Sequence, residues 1–195
     1  MIDLTDDPYD LFGAWMAKAE ESELNDPNAM TLATATPEGQ PSARIVLLKS
    51  WDRQGFVFYT NLESRKSDEI RANPQVALLF HWKTRKRQIR IEGSAAQVSD
   101  AEADAYFATR PRLSRIGAWA SDQSRPLADR RRLEQRLEQS IALYADAEVP
   151  RPPHWSGWVV TPRAIEFWED RDFRLHDRAV FTRAGEFWQA TRLYP

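Results

Sequence analysis

Residues 29–60 read AMTLATATPEGQPSARIVLLKSWDRQGFVFYT. Ala29–Thr36 and Ser42–Trp51 flank Pro37-Glu38-Gly39-Gln40, a turn sequence, so the spacing predicts a hairpin. Asp52-Arg53-Gln54-Gly55 is a second turn, and Phe56–Thr60 follows it as a strand. Further out, Val76–Trp82 and Gln88–Val98 form another pair, joined by the basic segment Lys83–Arg87. Five strands by residue 98, linked mostly by hairpins, predict an antiparallel sheet closed into a barrel. Trp158–Trp168, Arg178–Arg183 and Glu186–Leu193 return to strand, the last two around Ala184-Gly185. Helices are expected at the periphery. Residues 7–22 carry Leu11, Phe12, Trp15, Met16 and Ala19 on one stripe behind Pro8. Residues 64–72 end before Asn73-Pro74, and residues 99–109 open on a capping box, Ser99 with Glu102. Residues 127–144 hold Leu133, Leu137 and Ile141 in register. The expected class is mainly β with peripheral helices (α+β), one domain over residues 1–195.

The totals narrow the chemistry. The chain has 195 residues, 42% hydrophobic and 29% charged, with a net charge of -2, so no general attraction to nucleic acid or anionic membrane is expected. It has no cysteine, which excludes disulfides, thiolate metal sites and cysteine nucleophiles and fits a reducing cytoplasm. No apolar run approaches the ~20 residues of a membrane span, and the acidic start Met1–Asp7 lacks a signal peptide's regions. His81, His154 and His176 lack metal-site spacing, so no metal is expected. The 7 glycines stand far apart, and neither a dinucleotide fingerprint nor a P-loop can be written from them. Any bound phosphate must therefore be held by side chains. The 8 tryptophans suit a stacking site as well as a core.

Cations collect in four places. Ser64-Arg65-Lys66 opens a helix with two cations in its first turn, where the helix dipole disfavours them. An anion bound by Ser64, the free backbone N–H groups and both basic side chains removes the conflict; a solvated Arg-Lys pair is the bland alternative. Arg44-Ile45-Val46-Leu47-Leu48-Lys49 is an apolar strand with basic ends; an odd spacing sends the two cations to opposite faces. Tyr106 and Arg110 share a helix face at i and i+4, and Ser114 follows just past Pro111. Phenol, guanidinium and hydroxyl then make a second phosphate clamp. Run as a strand, Phe173-Arg174-Leu175-His176-Asp177-Arg178 points Arg174, His176 and Arg178 one way. That face is either a solvated edge or the wall of a pocket for a phosphorylated or electron-accepting ligand. Arg85-Lys86-Arg87 reads as a solvated turn rather than an RNA contact.

These segments resemble the pyridoxine/pyridoxamine 5'-phosphate oxidase family. The matching stretches are Arg44–Lys49, Phe58–Asn61, Ser64–Lys66, Arg87–Arg90, Tyr106–Pro111, Ser114–Trp119, Gln123-Ser124, Glu166–Trp168 and Arg174–Arg178. They stand in the family's order over roughly residues 7–195. The resemblance implies an FMN-binding antiparallel split β-barrel that works as a homodimer, with flavin sites shared between subunits. By position it implies FMN contacts from Arg44, Ile45, Val46, Leu47, Leu48, Lys49, Tyr59, Thr60, Arg65, Lys66, Gln88, Gln123, Ser124, Trp168 and Arg178. It implies that Lys49, Tyr106, Arg110 and Ser114 hold the substrate phosphate. Arg174, Leu175 and His176 should lie over the substrate ring, with Arg174 and His176 as the catalytic pair. The implied reaction oxidises pyridoxine or pyridoxamine 5'-phosphate to pyridoxal 5'-phosphate with O2 as acceptor. Two features depart from the family: Glu169-Asp170-Arg171-Asp172 stands where a glycine often follows, and the arm before Asp7 is short. The other readings are a vitamin B6 phosphate carrier or sensor on the same barrel, and a related flavin oxidoreductase acting on a phenazine precursor. Intact Arg174 and His176 weigh against the first, and the phosphate-binding set against the second.

Overall fold

The computed structural model describes residues 1–195. Five α-helices, α1 (Pro8–Glu20), α2 (Arg65–Ala72), α3 (Asp100–Thr109), α4 (Arg112–Ala120) and α5 (Arg130–Leu143), surround nine strands. The strands are β1 (Ala29–Ala35), β2 (Pro41–Leu47), β3 (Ser50–Asp52), β4 (Gly55–Asn61), β5 (Gln75–Trp82), β6 (Arg87–Gln97), β7 (Trp155–Glu169), β8 (Asp177–Ala184) and β9 (Phe187–Leu193). All pairings are antiparallel. The order is β2-β1-β5-β6-β7-β4-β3, and β7 also pairs β8, which carries β9.

The expected hairpin over residues 29–51 forms, with Ala29 opposite Leu47 and Ala35 opposite Pro41. The second half differs from expectation. Ser42–Trp51 is not one strand but β2 and β3, which stand at opposite ends of the sheet order. Only Leu48 and Lys49 separate them. Leu48 N–H donates to Asn28 O at 2.9 Å, and Lys49 N–H donates to Val57 O at 2.8 Å. The chain therefore bends at Leu48-Lys49 and passes from one edge of the sheet to the other. A sheet whose two edges are consecutive in sequence is curled on itself, a split barrel with no long free edge there.

Alternation fills the interior. Val76, Leu78, Phe80 and Trp82 of β5 are buried, as are Ile89 and Ile91 of β6. The stripe of α1 seals the barrel: Phe12 is fully buried and meets Phe56 and Phe80 edge-on at 4.9 and 5.3 Å. Burial of one such ring is worth ~1.5–3 kcal/mol. Asp7 caps α1 by accepting from Tyr9 N and Asp10 N.

Three features add to or differ from expectation. The helix α4 is not signalled by the sequence pattern; it starts directly after Pro111, which serves as its N-cap. The expected helix over 127–144 forms as α5, but its apolar stripe is uncovered: none of its residues is buried, and Leu137 and Ile141 are exposed. Arg112 instead caps the C-terminal end of α5, donating to Ala145 O and Ala147 O at 3.3 and 3.0 Å. Lastly, residues 173–176 are not strand. Asp172–Arg174 is a 3-10 turn, Phe173 and Arg174 take φ of 58 and 61, and β8 begins only at Asp177. Arg174 and His176 are thus not aligned with Arg178 on one strand face.

The β6–β7 ladder shifts register between Glu92 and Gly93. A Cβ on Gly93 would lie 2.2 Å from Thr161 O and 2.9 Å from Pro162 Cα, both backbone atoms that cannot move aside. Gly93→Ala should destabilise the fold by ~2 kcal/mol, lowering the melting midpoint by roughly 4–8 °C; an unchanged midpoint in a thermal melt would show that the ladder yields at this bulge.

Candidate active site

A cavity of about 600 Å³ opens where the bend at Leu48-Lys49 meets β4, α2 and the α3–α4 corner. Ile45, Val46, Leu47 and Lys49 form one wall, and Tyr59, Thr60 and Asn61 of β4 form the floor. Lys66 enters from α2, Tyr106 and Arg110 from the end of α3, Ser114 from α4, and Gln123 and Trp155 close the rim. Each element arrives for a local reason. Ser64 starts α2 in an extended conformation, so the first turn faces β4. Pro111 breaks α3 from α4 and so turns Arg110 and Ser114 toward one space.

The electrostatics of this cavity are unusual for buried groups. Lys66 is buried, and its Nζ donates to Gln123 Oε1 at 2.8 Å and to Thr60 Oγ1 and Ser64 Oγ at 3.1 Å, with no carboxylate in reach. Burial, with the nearby Arg44 charge, pulls its ammonium down to about 8. Arg110 makes no salt bridge, and its Nη1 is buried without a partner. Burial pushes that guanidinium below its ordinary range. Charged nitrogens desolvated in this way are costly unless a counter-charge joins them.

Behind the cavity lies a second arrangement. Glu69 of α2 is buried and accepts from Thr34 Oγ1 at 2.5 Å, Ser42 Oγ at 2.6 Å, Arg65 Nε at 2.8 Å and Arg44 Nη2 at 3.2 Å. Burial opposes its charge, yet these donors and the Arg44 charge outweigh it and hold the carboxyl at about 2. Arg65 spends only Nε on Glu69 and keeps its outer nitrogens exposed. Ser64 does not serve as an open cap: its Oγ donates to Asn61 O at 2.7 Å and the residue is fully buried. The hydroxyl expected to hold an anion at this helix end is thus committed to the chain's own carbonyl.

The candidate residues fall into two groups. Ile45, Val46, Leu47, Lys49, Tyr59, Thr60, Lys66, Tyr106, Arg110, Ser114 and Gln123 line the cavity together. Arg44 and Arg65 stand behind it on Glu69, and Leu48 is buried at the bend. Ser124, with φ 70, lines an adjoining hollow. The second group sits elsewhere on the same chain. Gln88, Trp168 and Arg178 are neighbours across β6, β7 and β8. Arg174 and His176 share a small hollow with Trp168, while Leu175 is exposed. Arg178 donates through Nε to Glu166 at 2.8 Å, and Glu166 also holds Arg90. His176 Nδ1 lies 2.9 Å from Asp170 Oδ1 and 3.4 Å from the Arg171 backbone nitrogen, so both of its neighbours in the chain are on that side of the ring and Nε2 makes no hydrogen bond. None of Arg174, Leu175, His176 and Arg178 lines the 600 Å³ cavity.

Four residues of these clusters were not singled out from the sequence: Glu69, Trp155, Glu166 and Asp170. Glu69 carried a signal, its i+4 spacing from Arg65. Asp170 lies in the charged turn Glu169–Asp172, and Glu166 in the stretch Glu166–Trp168, but the sequence gives neither a partner. Trp155 carries no signal, because its partners are distant in sequence.

Known proteins resemble this chain over nearly its whole length. Residues 16–144 match the family model described as pyridoxamine 5'-phosphate oxidase, and residues 155–195 match the pyridoxine 5'-phosphate oxidase C-terminal dimerisation region. The pyridoxine/pyridoxamine 5'-phosphate oxidase of Gluconobacter oxydans is 64% identical over 195 residues, covering 100% of this chain and 98% of that protein. That of Sphingopyxis alaskensis is 62% identical, covering 98% and 89%. Among solved structures, PhzG from Burkholderia lata, in complex with tetrahydrophenazine-1-carboxylic acid, superposes with a TM-score of 0.93 at 33% identity, covering 99% of this chain and 95% of that one. Two adjoining family models and near-full-length identity leave one conclusion: the chain belongs to the pyridoxine/pyridoxamine 5'-phosphate oxidase family.

Proposed function

We propose that this chain is an FMN-dependent oxidase that converts pyridoxine 5'-phosphate or pyridoxamine 5'-phosphate to pyridoxal 5'-phosphate, working as a homodimer in the cytoplasm. The observation that carries the reading is a single cavity lined by two cations without a carboxylate partner: Lys66, on Thr60 and Gln123, and Arg110. Lys49, Tyr106 and Ser114 share the same lining. Two phosphorylated molecules, a mononucleotide and a phosphorylated ring, match two such cations.

The residues fit FMN on their own chemistry. Lys66 is a buried ammonium whose partners are three neutral oxygens, so it has charge to give to a phosphate. Arg65 presents free outer nitrogens beside it. When bound, FMN supplies the two-electron acceptor for the substrate's C4' hydride and then passes the electrons to O2, giving hydrogen peroxide. The chain's part is placement. Lys49, Tyr106, Arg110 and Ser114 anchor the substrate phosphate and so set where its ring lies. Arg174 and His176 orient the alcohol or amine, and His176 presents Nε2 to it because Nδ1 is occupied by Asp170 and the Arg171 backbone. With the amine, the imine formed is hydrolysed by water.

A second copy is part of the proposal. Arg174 and His176 do not line the cavity of their own chain, and residues 155–195, which contain them, match a dimerisation region. Phe173 is 92% exposed and held in a left-handed conformation, as a residue that meets another surface can be. The phenazine reading has less support: relatives named for the B6 phosphates reach 64% identity, against 33% for PhzG. No helix is long and apolar enough to cross a membrane.

Purified protein loaded with FMN should consume oxygen with pyridoxine or pyridoxamine 5'-phosphate. Arg174→Ala or His176→Ala should cut turnover by roughly a hundredfold or more while flavin stays bound. Bound flavin that bleaches once under nitrogen but turns over no substrate in air would favour the carrier reading. Sharing of the site is tested by mixing two inactive variants, Arg110→Ala and His176→Ala. A mixed dimer should hold one intact site and recover activity; no recovery after subunit exchange would place Arg110 and His176 in the same chain's site.

A further inference from the structure

We propose that Trp155 is a positioning residue for the substrate phosphate: its indole face holds the Arg110 guanidinium in place of a counter-ion, and so sets the preference for phosphorylated over unphosphorylated ring substrates. The inference rests on the oxidase reading above and deepens it.

Four observations carry it. The Arg110 guanidinium carbon lies 4.7 Å from the Trp155 ring centroid and 5.4 Å from that of Phe107. No carboxylate pairs with Arg110, and its Nη1 is buried without a partner. A guanidinium in that state is stabilised chiefly by the π faces beneath it, which offer attraction without neutralising its charge. Trp155 itself cannot drift. It is buried, its ring is parallel to Tyr59 at 5.3 Å and to Tyr106 at 6.2 Å, and Tyr59 stacks on Tyr106 at 4.0 Å.

The stack is held from below by an absent side chain. Gly157 faces Tyr59 in the β4–β7 ladder, and a Cβ there would stand 2.7 Å from the Tyr59 ring. Gly157 thus lets Tyr59 lie flat, Tyr59 supports Tyr106 and Trp155, and Trp155 supports Arg110. A carboxylate in place of the indole would hold Arg110 equally well but would cancel the charge that a phosphate needs. An aromatic face orients the arginine and leaves its charge available.

The test uses the FMN-loaded full-length protein and compares Trp155→Leu with Trp155→Phe. With pyridoxine 5'-phosphate, Trp155→Leu should raise KM by about tenfold with kcat little changed, and inorganic phosphate should weaken as a competitive inhibitor by a similar factor. With unphosphorylated pyridoxine, kcat/KM should fall by a clearly smaller factor, so the preference between the two substrates contracts. Trp155→Phe, which keeps a ring face, should recover most of the preference. If Trp155→Leu yields no folded protein, Trp155→Met, which also lacks a ring, takes its place with the same expected shift. An equal loss on both substrates, or an unchanged preference in folded Trp155→Leu or Trp155→Met, overturns the proposal. Wild-type protein that oxidises neither substrate overturns the oxidase reading instead.

Discussion

A buried cation without a carboxylate is the constraint on which this molecule turns. Lys66 and Arg110 are both desolvated, both supported by neutral groups, and both aimed at one cavity. Much of the remaining buried charge is paired, Arg115 apart, whose Nε is also buried without a partner but does not line the cavity. Glu69 serves Arg44 and Arg65, Glu166 serves Arg90 and Arg178, and Asp177 serves Arg192. The contrast gives the two unpaired cations their meaning: they carry a folding cost that an anionic ligand removes, a common pattern at sites that give up stability for function.

The barrel is what allows those cations to meet. Closure through the bend at Leu48-Lys49 brings β2 beside β4, and with it Lys49 beside Tyr59 and Thr60. The α3–α4 corner then lays Arg110 and Ser114 over the same opening. The paired arginines behind the wall matter too. Glu69 keeps Arg44 and Arg65 from repelling each other and Lys66, so the helix start can be strongly cationic and still fold. Around His176 the same logic recurs in smaller form, with Asp170 holding one imidazole nitrogen and Trp168 packed against the ring at 4.6 Å.

Local pattern in the sequence was enough for the hairpins, for the α1 stripe and for the capping box at Ser99, because each is decided by neighbours a few residues apart. It was not enough where distant atoms decide. The bend that splits residues 42–51 is held by Asn28 and Val57, neither of which alternation can foresee. The left-handed turn at Phe173-Arg174 uses residues with no local preference for it. The stripe Leu133, Leu137, Ile141 was legible as an amphipathic face but not as an uncovered one. In the candidate site, charge spacing singled out Lys49, Lys66, Tyr106, Arg110 and Ser114, which do share a cavity. Of the partners that orient the cations, Glu69 is hinted at by its i+4 spacing from Arg65, but its hold on Arg44, and the roles of Trp155 and Glu166, join different elements and emerge only in three dimensions.

The central claim is that Lys66 is held at a cost to the empty protein for the sake of an anion. Thermal melts of the flavin-free protein with and without FMN, for wild type and Lys66→Met, test it most directly. Thr60 and Gln123 already bond each other at 3.0 Å, and Ser64 bonds Asn61, so methionine leaves no buried polar group stranded. Flavin-free Lys66→Met should melt above flavin-free wild type, by roughly 2–4 °C for about 1 kcal/mol, and should gain little from FMN, whereas wild type gains strongly. A variant that melts lower than wild type and is still stabilised by FMN to the same extent would contradict the account.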